Sequence, residues 1–386
     1  MPRLFSPLTI RGITLRNRVV ISPMCQNAAM PDGSLGDWHL VHLGQFAMGG
    51  AALVFVESTA VAEHARINEF DTGLWGDHQI APMRRVADFV RGRGAAFGVQ
   101  IGHAGRKAGA AILCDGGAPL SPEELATHRD RPFRRLGPSP VAAGEEWTVP
   151  EEMSRADIDD VRASFVAAAE RAEAAGADVL ELHFAHGYLV ASFLSPKSNL
   201  RTDDYGHGFA GRTRLALDIA TDVRAVWPES KPLFCRLSVV DGARHGWDID
   251  DSVKLAKLLK DAGVDVIDCS SGGLFDATKT ATAPRGLGFQ VHYASRIRRD
   301  AGIPTQAVGM IVDPLQAEEI LEAGDADLIA IGREALYDPY WASHAAQAFG
   351  LDPAFSAWSR HNAAYLAKRR PTMERLGLEP GLRERP

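Results

Sequence analysis

The chain alternates short runs of apolar, often β-branched residues with longer stretches that carry apolar residues at helical spacing. Several junctions share one form: a helix-like stretch ends at glycine and an apolar run begins within a few residues, as in "AAGADVLELHF" and "EAGDADLIAIGRE". A glycine just beyond a helix tolerates the left-handed cap conformation. Nearly continuous apolar strands are typical of a parallel sheet that is covered on both faces.

Eight such strands are predicted, at residues 19–24, 52–59, 97–103, 178–184, 232–239, 266–271, 304–309 and 328–334. Between them lie helical patterns such as "DIDDVRASFVAAAERAEAAG" and "DIDDSVKLAKLLKDAG", which both open with aspartates that favour an N-cap. Eight β/α units in 386 residues predict an α/β protein of the TIM (β/α)8 barrel type. No G-x-G-x-x-G follows the first strand, which weakens a dinucleotide-binding Rossmann fold.

Three segments are additions to the eight units. The stretch "LFSPLTIRGITLRNR" predicts an N-terminal hairpin that closes the bottom of the barrel. Residues 108–153 and 272–292 are long loop excursions after the third and sixth strands, and long loops on the catalytic face often act as lids. We assign residues 1–345 to the barrel and residues 346–386 to a C-terminal tail with a possible subunit contact.

Composition narrows the class of protein. The net charge of −7 and the pI near 6.0 give no indication of a basic surface, so nucleic acid is not an expected partner. No apolar stretch approaches the roughly 18 residues of a membrane helix, and no signal peptide is visible, so we expect a cytoplasmic protein. The four cysteines are far apart and form no C-x-x-C pair, which gives zinc or iron–sulfur chemistry poor support.

Residues at the C-terminal ends of barrel strands face the active site. The predicted strands deliver one set of candidates there: Ser22, Pro23, Met24, Cys25, Ala60, Gln100, His183, His186, Tyr188 and Arg236. Arg236 and Gln100 lie inside otherwise apolar strands. Each has two interpretations, a bonded partner within the barrel core or a contact to an electron-rich cofactor ring, because a buried arginine without a partner is costly.

Gly309 and Gly332 follow the seventh and eighth strands, where barrels of this kind bind a phosphate. Backbone N–H groups approach an anion only where no side chain blocks them. Arg333 adds a fixed charge and a forked donor. Tight turns alone would also use glycine here, but Arg333 and the barrel context favour a phosphate site.

The motif "HFAHGY" carries the sharpest local signal. His183 and His186 could be metal ligands, but no third ligand follows at a convincing spacing. They could instead donate hydrogen bonds to a carbonyl or phenolate oxygen and stabilise negative charge that develops there, with Tyr188 as general acid. Packing in the core is the third interpretation.

These residues resemble the old yellow enzyme family. The stretches "SPMCQ", "DWHLVHLG", "VQIGHAGRK", "LELHFAHGYLVASFLSPKSNLRTDDYG", "DCSSGGL" and "IAIGRE" are most similar to its thermophilic-like branch of FMN-dependent ene-reductases, over residues 3–345. The resemblance implies a barrel with FMN at its mouth, contacted by Ser22, Pro23, Met24, Cys25, Ala60, Gln100, Arg236, Gly332 and Arg333. It implies that NADPH, or NADH, reduces FMN, and that an activated alkene is then reduced.

The resemblance also implies that His183 and His186 bind the substrate oxygen and that Tyr188 donates the proton. Cys25 would lie near the flavin and tune its redox potential rather than act as a nucleophile, although a merely buried cysteine is the alternative. The branch usually has a tyrosine two residues after this cysteine, where this chain has Asn27. We therefore expect Asn27 to alter substrate preference and leave FMN binding intact.

Two rival functions stay open at this point. One is a metal-dependent barrel hydrolase that uses His183, His186 and a carboxylate. The other is a flavin-binding protein that acts on quinones or nitro groups rather than alkenes. The resemblance also implies a homodimer or higher oligomer in which a tail arginine (Arg369, Arg370 or Arg375) reaches a neighbouring site, although a solvated basic face is the favoured explanation of these arginines.

Overall fold

The computed structural model describes residues 1–127, 133–275 and 285–377. The strands in chain order are β1 (Leu8–Ile10), β2 (Ile13–Leu15), β3 (Val19–Ile21), β4 (Leu53–Ala60), β5 (Ala96–Gly102), β6 (Leu136–Gly137), β7 (Glu151–Glu152), β8 (Val179–Phe184), β9 (Leu233–Ser238), β10 (Val266–Ser270), β11 (Thr305–Val308) and β12 (Leu328–Ile331). Eight of them, β3 to β5 and β8 to β12, form a closed parallel barrel in chain order. The predicted TIM barrel is confirmed.

All eight predicted strands are present, with ends shifted by a few residues. The largest differences are in the first and the eighth, which each end three residues early; the eighth ends at Ile331 because Arg333 already begins a helix. The first ends at Ile21, so Ser22 to Cys25 lie just beyond it rather than within it. Strand ends are the least certain part of a pattern-based prediction, since a polar residue can close a strand or open the next turn.

The helices surround the barrel. They are α1 (Asp37–Met48), α2 (Ile80–Arg91), α3 (Pro122–Thr127), α4 (Arg155–Ala174), α5 (Leu189–Leu194), α6 (Gly208–Val226), α7 (Ile249–Asp261), α8 (Val291–Ala301), α9 (Pro314–Glu322), α10 (Arg333–Tyr337), α11 (Trp341–Ala348) and α12 (Arg360–Arg375). The aspartate N-cap is confirmed for α7, where Asp248 accepts from the Asp251 amide. It is wrong for α4, whose N-cap is Ser154 in a reciprocal capping box with Asp157.

The predicted N-terminal hairpin closes the lower end of the barrel. β1 and β2 pair antiparallel, and Ile10 and Leu15 join Phe55, Phe234 and Val179 in one apolar cluster. These barrel residues come from the first halves of their strands, so the cluster lies at the end opposite the candidate site. A larger apolar core fills the space between the barrel and its helices.

The two predicted excursions are present over the described residues. The loop after β5 contains α3 and the short parallel pair β6–β7, and Arg135 holds it by donating to the carbonyls of Ala108 and Leu120. Arg106 links it to the loop after β10 by donating to the Leu274 carbonyl. Residues 128–132 and 276–284 of these excursions, and 378–386 of the tail, lie outside the described residues.

Helix α11 crosses the predicted boundary at residue 345, and α12 lies wholly within the tail. Trp341, Ala342 and Ala345 of α11 are buried against the barrel, whereas α12 buries none of its residues. Over the ranges described by the structure, every helix is too short or too polar to cross a membrane.

Candidate active site

Three aromatic rings meet at the carboxyl end of β8. The ring centroids of His183 and His186 are 5.2 Å apart, and those of His183 and Tyr188 are 5.1 Å apart, in edge-on arrangements. His183 is the penultimate residue of β8, and Tyr188 caps α5 four residues beyond the strand. The short turn between strand and helix therefore brings together the three residues singled out by the "HFAHGY" motif.

His186 is fixed by the backbone and by neighbouring hydroxyls. Its φ of 61° places it in the left-handed region, which a histidine adopts only when the surroundings enforce it. Its amide donates to Ser238 Oγ at 2.9 Å, and its Nε2 lies 2.7 Å from Ser270 Oγ. Lys107 Nζ donates to the His186 carbonyl at 3.0 Å. The backbone of His186 is therefore held from β9 and the loop after β5, and its ring is held from β10.

Both histidines are neutral at physiological pH. Burial, and then the Arg236 charge, lower the pKa of His183 to about 3. The same two causes, with smaller contributions from His183 and Lys107, lower the pKa of His186 well below its usual value. A neutral imidazole still donates one N–H hydrogen bond. The pair can therefore donate to a substrate oxygen without carrying a charge.

Tyr188 keeps its proton. Burial raises the pKa of its hydroxyl well above the usual value, and Cys25 and Asp71 raise it further. That electrostatic contact shows that the residues after β3 and those after β8 face each other across the mouth of the barrel. Tyr188 is thus available as a proton donor near the histidine pair.

Cys25 is an exposed residue at the mouth of the barrel. Its sulfur is nevertheless partly shielded from water by neighbouring protein atoms. That desolvation, followed by the charges of Asp71 and Glu57, raises the pKa of the thiol well above its usual value. A nucleophilic cysteine requires the opposite shift, since the thiolate is the reactive form. The predicted non-nucleophilic role agrees with this, whereas the alternative of a buried core cysteine does not match its exposure.

A buried carboxylate supports the residues around Cys25. Glu57 is 2% exposed and accepts from His39 Nε2 at 3.2 Å. His39 Nδ1 accepts the Gly36 amide, so its proton must be on Nε2, facing Glu57. The strand register shifts between Val56 and Thr59, and bulges of this kind often re-aim side chains beside active sites.

Gln100 and Arg236 have partners within the barrel. Gln100 Nε2 donates to Glu181 Oε1 at 2.8 Å. Arg236 Nε lies 3.3 Å from Asp268 Oδ2, without hydrogen-bond alignment. The core-partner interpretation of both residues is therefore realised. Gln100 and Arg236 still have N–H groups that can donate to a ligand bound at the mouth of the barrel.

Several buried polar atoms in the mouth have no hydrogen-bond partner among the described residues. They include Ser22 Oγ, His183 Nδ1 and Arg236 Nε. Buried polar groups are normally paired, so this concentration of unpaired groups on three different strand ends indicates a polar ligand. These unpaired polar atoms suit the polar edge of a flavin ring, and the donor set fits FMN. Ala60, at the end of β4, is also buried.

A pocket of about 320 Å³ lies beyond β11 and β12. It is lined by residues 308–312, Ala330, Gly332, Arg333 and Glu334. A side chain at Gly309, whose φ is 120°, would meet the Gln290 amide and the Phe289 ring at about 3 Å. The Arg333 guanidinium is exposed, and within the described residues its one hydrogen bond goes to the soft acceptor Met310 Sδ, at 3.8 Å. The residues predicted to hold a phosphate are thus brought together, with a free cationic side.

Asn27 serves a local role that its sequence position did not reveal. Its φ is 53°, and its Oδ1 accepts the Leu113 amide at 3.1 Å. It therefore ties the segment after β3 to the excursion after β5. A substrate contact from Asn27 would have to come from its amide NH2 group.

Four buried polar partners escaped the sequence analysis: Glu181, Asp268, Ser238 and Ser270. The available signal was a charge or hydroxyl inside an apolar strand, as in "VLELHF" and "VIDCS". Such a residue on an inward-facing position needs a partner, but the partner comes from another strand, 81 residues away for Gln100 and Glu181. In the described ranges, no three histidine, cysteine, aspartate or glutamate side chains converge as a metal site would require.

The barrel, the pocket beside Arg333 and the neutral donors at the mouth fit a flavin-dependent oxidoreductase. The family model described as NADH:flavin oxidoreductase / NADH oxidase matches residues 3–351. The chain belongs to this family, and the resemblance to the old yellow enzymes is confirmed. It is accordingly an FMN-dependent enzyme that takes electrons from a reduced nicotinamide nucleotide.

Two similar bacterial proteins are both named NADPH dehydrogenase. The protein from Geobacillus sp. (strain WCH70) is 42% identical over 348 residues, 90% of this chain and 94% of the relative. The protein from Bacillus subtilis (strain 168) is 42% identical over 346 residues, 89% of this chain and 94% of the relative.

Solved structures show the same fold. Morphinone reductase aligns with a TM-score of 0.74 at 24% identity, over 90% of both chains. An old yellow enzyme homologue from Zymomonas mobilis aligns with a TM-score of 0.71 at 21% identity, over 88% of this chain and 90% of the other. At these identities the likeness supports the barrel fold alone.

Proposed function

We propose that the protein reduces the C=C bond of activated alkenes, α,β-unsaturated carbonyl or nitro compounds, in a reaction driven by NADPH. When bound, FMN supplies the hydride chemistry, so that a hydride from NADPH reaches the β-carbon of the alkene. The observation that carries the proposal is the meeting of two neutral imidazoles and a protonated tyrosine at one strand end. Two donors and one acid are what hydride addition to an enone requires.

His183 and His186 bind the substrate oxygen in this proposal. Hydride addition at the β-carbon builds negative charge on that oxygen, and preorganised donors stabilise charge where it develops. Ser238 fixes the amide of His186 and Ser270 fixes its ring, so the ring needs no reorganisation as the charge forms. Asn27 contributes through its NH2 group at the edge of the same opening.

Tyr188 donates the proton to the α-carbon. The raised pKa keeps the phenol protonated before the reaction, and Lys107 Nζ lies 5.9 Å from the centre of its ring. A nearby cation stabilises the phenolate that is left behind after the transfer. A positioned general acid contributes about 10²- to 10⁴-fold to the rate.

The FMN contacts follow the strand ends. We assign the isoalloxazine ring to the opening bounded by Ser22, Pro23, Met24, Cys25, Ala60, Gln100 and Arg236, and the phosphate to the pocket of Gly309, Gly332 and Arg333. The unpaired Ser22 Oγ and Arg236 Nε support the first assignment. The exposed guanidinium beside the 320 Å³ pocket supports the second.

NADPH is the proposed donor in preference to NADH. The support is the name NADPH dehydrogenase carried by relatives that are 42% identical to this chain. Comparing the two nucleotides at equal concentration in the first half-reaction tests this choice directly.

The test of the proposed function is a visible spectrum of the purified protein without oxygen, first alone, then with NADPH, then with 2-cyclohexenone. We expect a yellow protein that bleaches with NADPH and regains its colour with the enone. Bleaching without recovery would contradict alkene reduction and direct the search to quinones or nitro groups. A protein that stays colourless after FMN is added would contradict the cofactor and favour the metal-dependent hydrolase.

We propose in addition that residues 346–386 act as a tail that contacts a second subunit. Helix α12 buries no residue, and Tyr365 and Leu376 are 78% and 61% exposed. Arg370 is engaged within the chain, with Glu374 and the Pro353 carbonyl. Sedimentation of the full chain should give a dimer or larger species, and a monomer at micromolar concentration would contradict the proposal.

A further inference from the structure

Beneath the mouth, the barrel interior holds a layer of buried polar side chains, which we call the charge layer: Gln100, Glu181, Arg236, Asp268 and Gln306. The carboxyl groups of Glu181 and Asp268 are both fully buried. In the strand register, Gln100 lies opposite Glu181, and Asp268 lies opposite both Arg236 and Gln306. The layer therefore runs across five neighbouring strands and contains two carboxyl groups but one guanidinium.

The hydrogen bonding of this layer is incomplete. Glu181 Oε2 and both oxygens of Asp268 have no hydrogen-bond partner among the described residues. Two ionised carboxylates around one arginine would leave a net negative charge away from water. An unbalanced buried charge costs several kcal/mol in order of magnitude, so the geometry alone disfavours that state.

Among the described residues, no other group near the two carboxyls can balance the charge. On β8, burial holds the pKa of His183 at about 3, so its ring stays neutral. The thiols of Cys235 on β9 and Cys269 on β10 stay protonated, because burial raises the pKa of each well above its usual value. Gln100 on β5 and Gln306 on β11 do not titrate. Only the two carboxyls and Arg236 set the charge of the layer.

We propose that Glu181 carries a proton at neutral pH, so that Arg236 and Asp268 remain as one balanced pair, and that both carboxyls are positioning residues for the flavin site. Asp268 holds the guanidinium of Arg236 at the mouth. The neutral acid of Glu181 accepts from Gln100 through its carbonyl oxygen and orients that amide. Neither carboxyl touches the reacting atoms; each acts through the side chain above it.

The electrostatics of the layer agree with this arrangement. Burial, and then the charge of Asp268, raise the pKa of Glu181 to about 8, against the opposing effect of Arg236. Burial also raises the pKa of Asp268, with Arg236 again opposing. Because Arg236 is in ion-pair range of Asp268 and not of Glu181, Glu181 is the carboxyl that keeps the proton.

The consequence is a pH dependence at the mouth. As the pH rises through about 8, Glu181 ionises and a negative charge appears below the side chains assigned to the flavin ring. Electron-rich or anionic ligands should then bind more weakly. This consequence rests on the proposed placement of FMN, whereas the protonation of Glu181 does not.

The test is infrared spectroscopy of the full-length protein as purified, with and without ¹³C in the glutamate carboxyls. The isotope difference isolates protonated glutamic acid from the flavin carbonyls and from buried aspartates. We expect an acid carbonyl band at pH 7 that shifts with the label, disappears at pH 9.5 and is absent from Glu181→Gln. The absence of a label-sensitive acid band at pH 7, or its survival in Glu181→Gln, would overturn the proposal.

The variant Asp268→Asn tests whether the charge of Asp268 keeps Glu181 protonated. With Asp268 neutralised, Glu181 becomes the only counter-ion of Arg236 and should ionise, so the glutamic acid band should be lost at pH 7. A Glu181 that is neutral through burial alone would keep the band, which contradicts the proposal. The matched control is Glu318→Gln, which alters a buried glutamate that accepts from the amides of Arg3 and Leu4; it should leave the band unchanged.

The dissociation constant of FMN gives the functional readout. In the wild-type protein it should rise severalfold between pH 7 and 9.5, and in Glu181→Gln it should be flat over the same range. Equal slopes in both proteins would contradict the positioning role of Glu181. A failure to bind FMN at any pH would contradict the proposed function instead, while the infrared result would still decide the protonation of Glu181.

Discussion

The lower and upper halves of the barrel are equally buried but chemically opposite. At the lower end, Phe55 and Phe234 pack with ring centroids 6.0 Å apart, under the hairpin residues Ile10 and Leu15. At the upper end, the same strands β8, β9 and β10 carry Glu181, His183, Arg236 and Asp268. The first arrangement satisfies every side chain by packing. The second leaves several donors and acceptors with no hydrogen-bond partner in the part of the chain that the structure describes.

This difference suggests a division of roles, in which the lower end stabilises the fold and the upper end carries the function. Gly98 on β5 illustrates the lower end, because a Cβ there would lie 2.4 Å from the Phe55 ring. Its absence lets the ring fill the barrel floor. At the mouth, by contrast, burial lowers the pKa of His183 and raises that of Tyr188, so the same desolvation prepares donors and an acid. Substitutions at the two ends should therefore affect different properties.

The largest expected effect is at the mouth. Tyr188→Phe removes the proposed proton donor, and we expect kcat for 2-cyclohexenone to fall about 10²- to 10⁴-fold. Reduction by NADPH should keep its rate, and the melting temperature should change little. Stopped-flow measurement of the two half-reactions separates these steps. An enone half-reaction that keeps its wild-type rate would show that another group supplies the proton.

Tyr205→Phe is the matched control. The Tyr205 hydroxyl donates to Asp218 at 2.8 Å, and this residue lies outside the proposed site. The variant should lose about 1 kcal/mol of stability, as expected for one hydrogen bond. Both half-reactions should retain their rates.

Phe234→Ala tests the lower end. It opens a cavity in the barrel floor, and we expect the free energy of unfolding to fall by about 3–5 kcal/mol. Protein that remains folded should bind FMN with unchanged stoichiometry. Urea denaturation and flavin absorbance measure the two quantities. A loss of bound flavin without a loss of stability would contradict the separation of the two ends.

The pH dependence of stability gives an intermediate effect. Burial and the Arg236 charge lower the pKa of folded His183 to about 3 from the ordinary histidine value of 6.5, so the unfolded chain takes up the proton first as the pH falls. The stabilising contribution is complete above pH 6.5 and is lost between pH 6.5 and 3. Between pH 6.5 and 5, His183→Asn should therefore lose about 2 kcal/mol less than the wild type.

Urea titrations at a series of pH values measure this difference. His361 lies exposed on α12, so His361→Asn should follow the wild-type curve. Parallel curves for His183→Asn and the wild type would mean that His183 takes up its proton at the same pH in the folded and unfolded protein, which contradicts the lowered pKa.

The smallest effect concerns substrate preference. Asn27→Tyr restores the residue typical of the branch, and we expect KM for 2-cyclohexenone to change severalfold while flavin content stays constant. Asn27→Gly is the control, because glycine also tolerates the positive φ but cannot accept from Leu113. Equal KM values in all three proteins would place Asn27 outside the pocket.

The sequence was sufficient for the scaffold and for the identity of the candidate residues. Continuous apolar runs identified all eight barrel strands, and the strand-end rule brought His183, His186 and Tyr188 to one place. The sequence could not predict that Asp268 pairs with Arg236 or that Ser270 pairs with His186. A period-two pattern says that a residue faces inward, but the partner depends on the register between strands that are distant in the chain. The role of Asn27 depends on a loop conformation that has no sequence period.

The most direct test of the central claim is product analysis after reduction of 2-cyclohexenone with NADPH in ²H₂O. If the mouth works as proposed, the product is cyclohexanone with one solvent-derived deuterium at the α-carbon. Hydrogen at the β-carbon should come from NADPH. Recovery of unreacted enone despite NADPH consumption, or solvent deuterium at the β-carbon, would contradict the account.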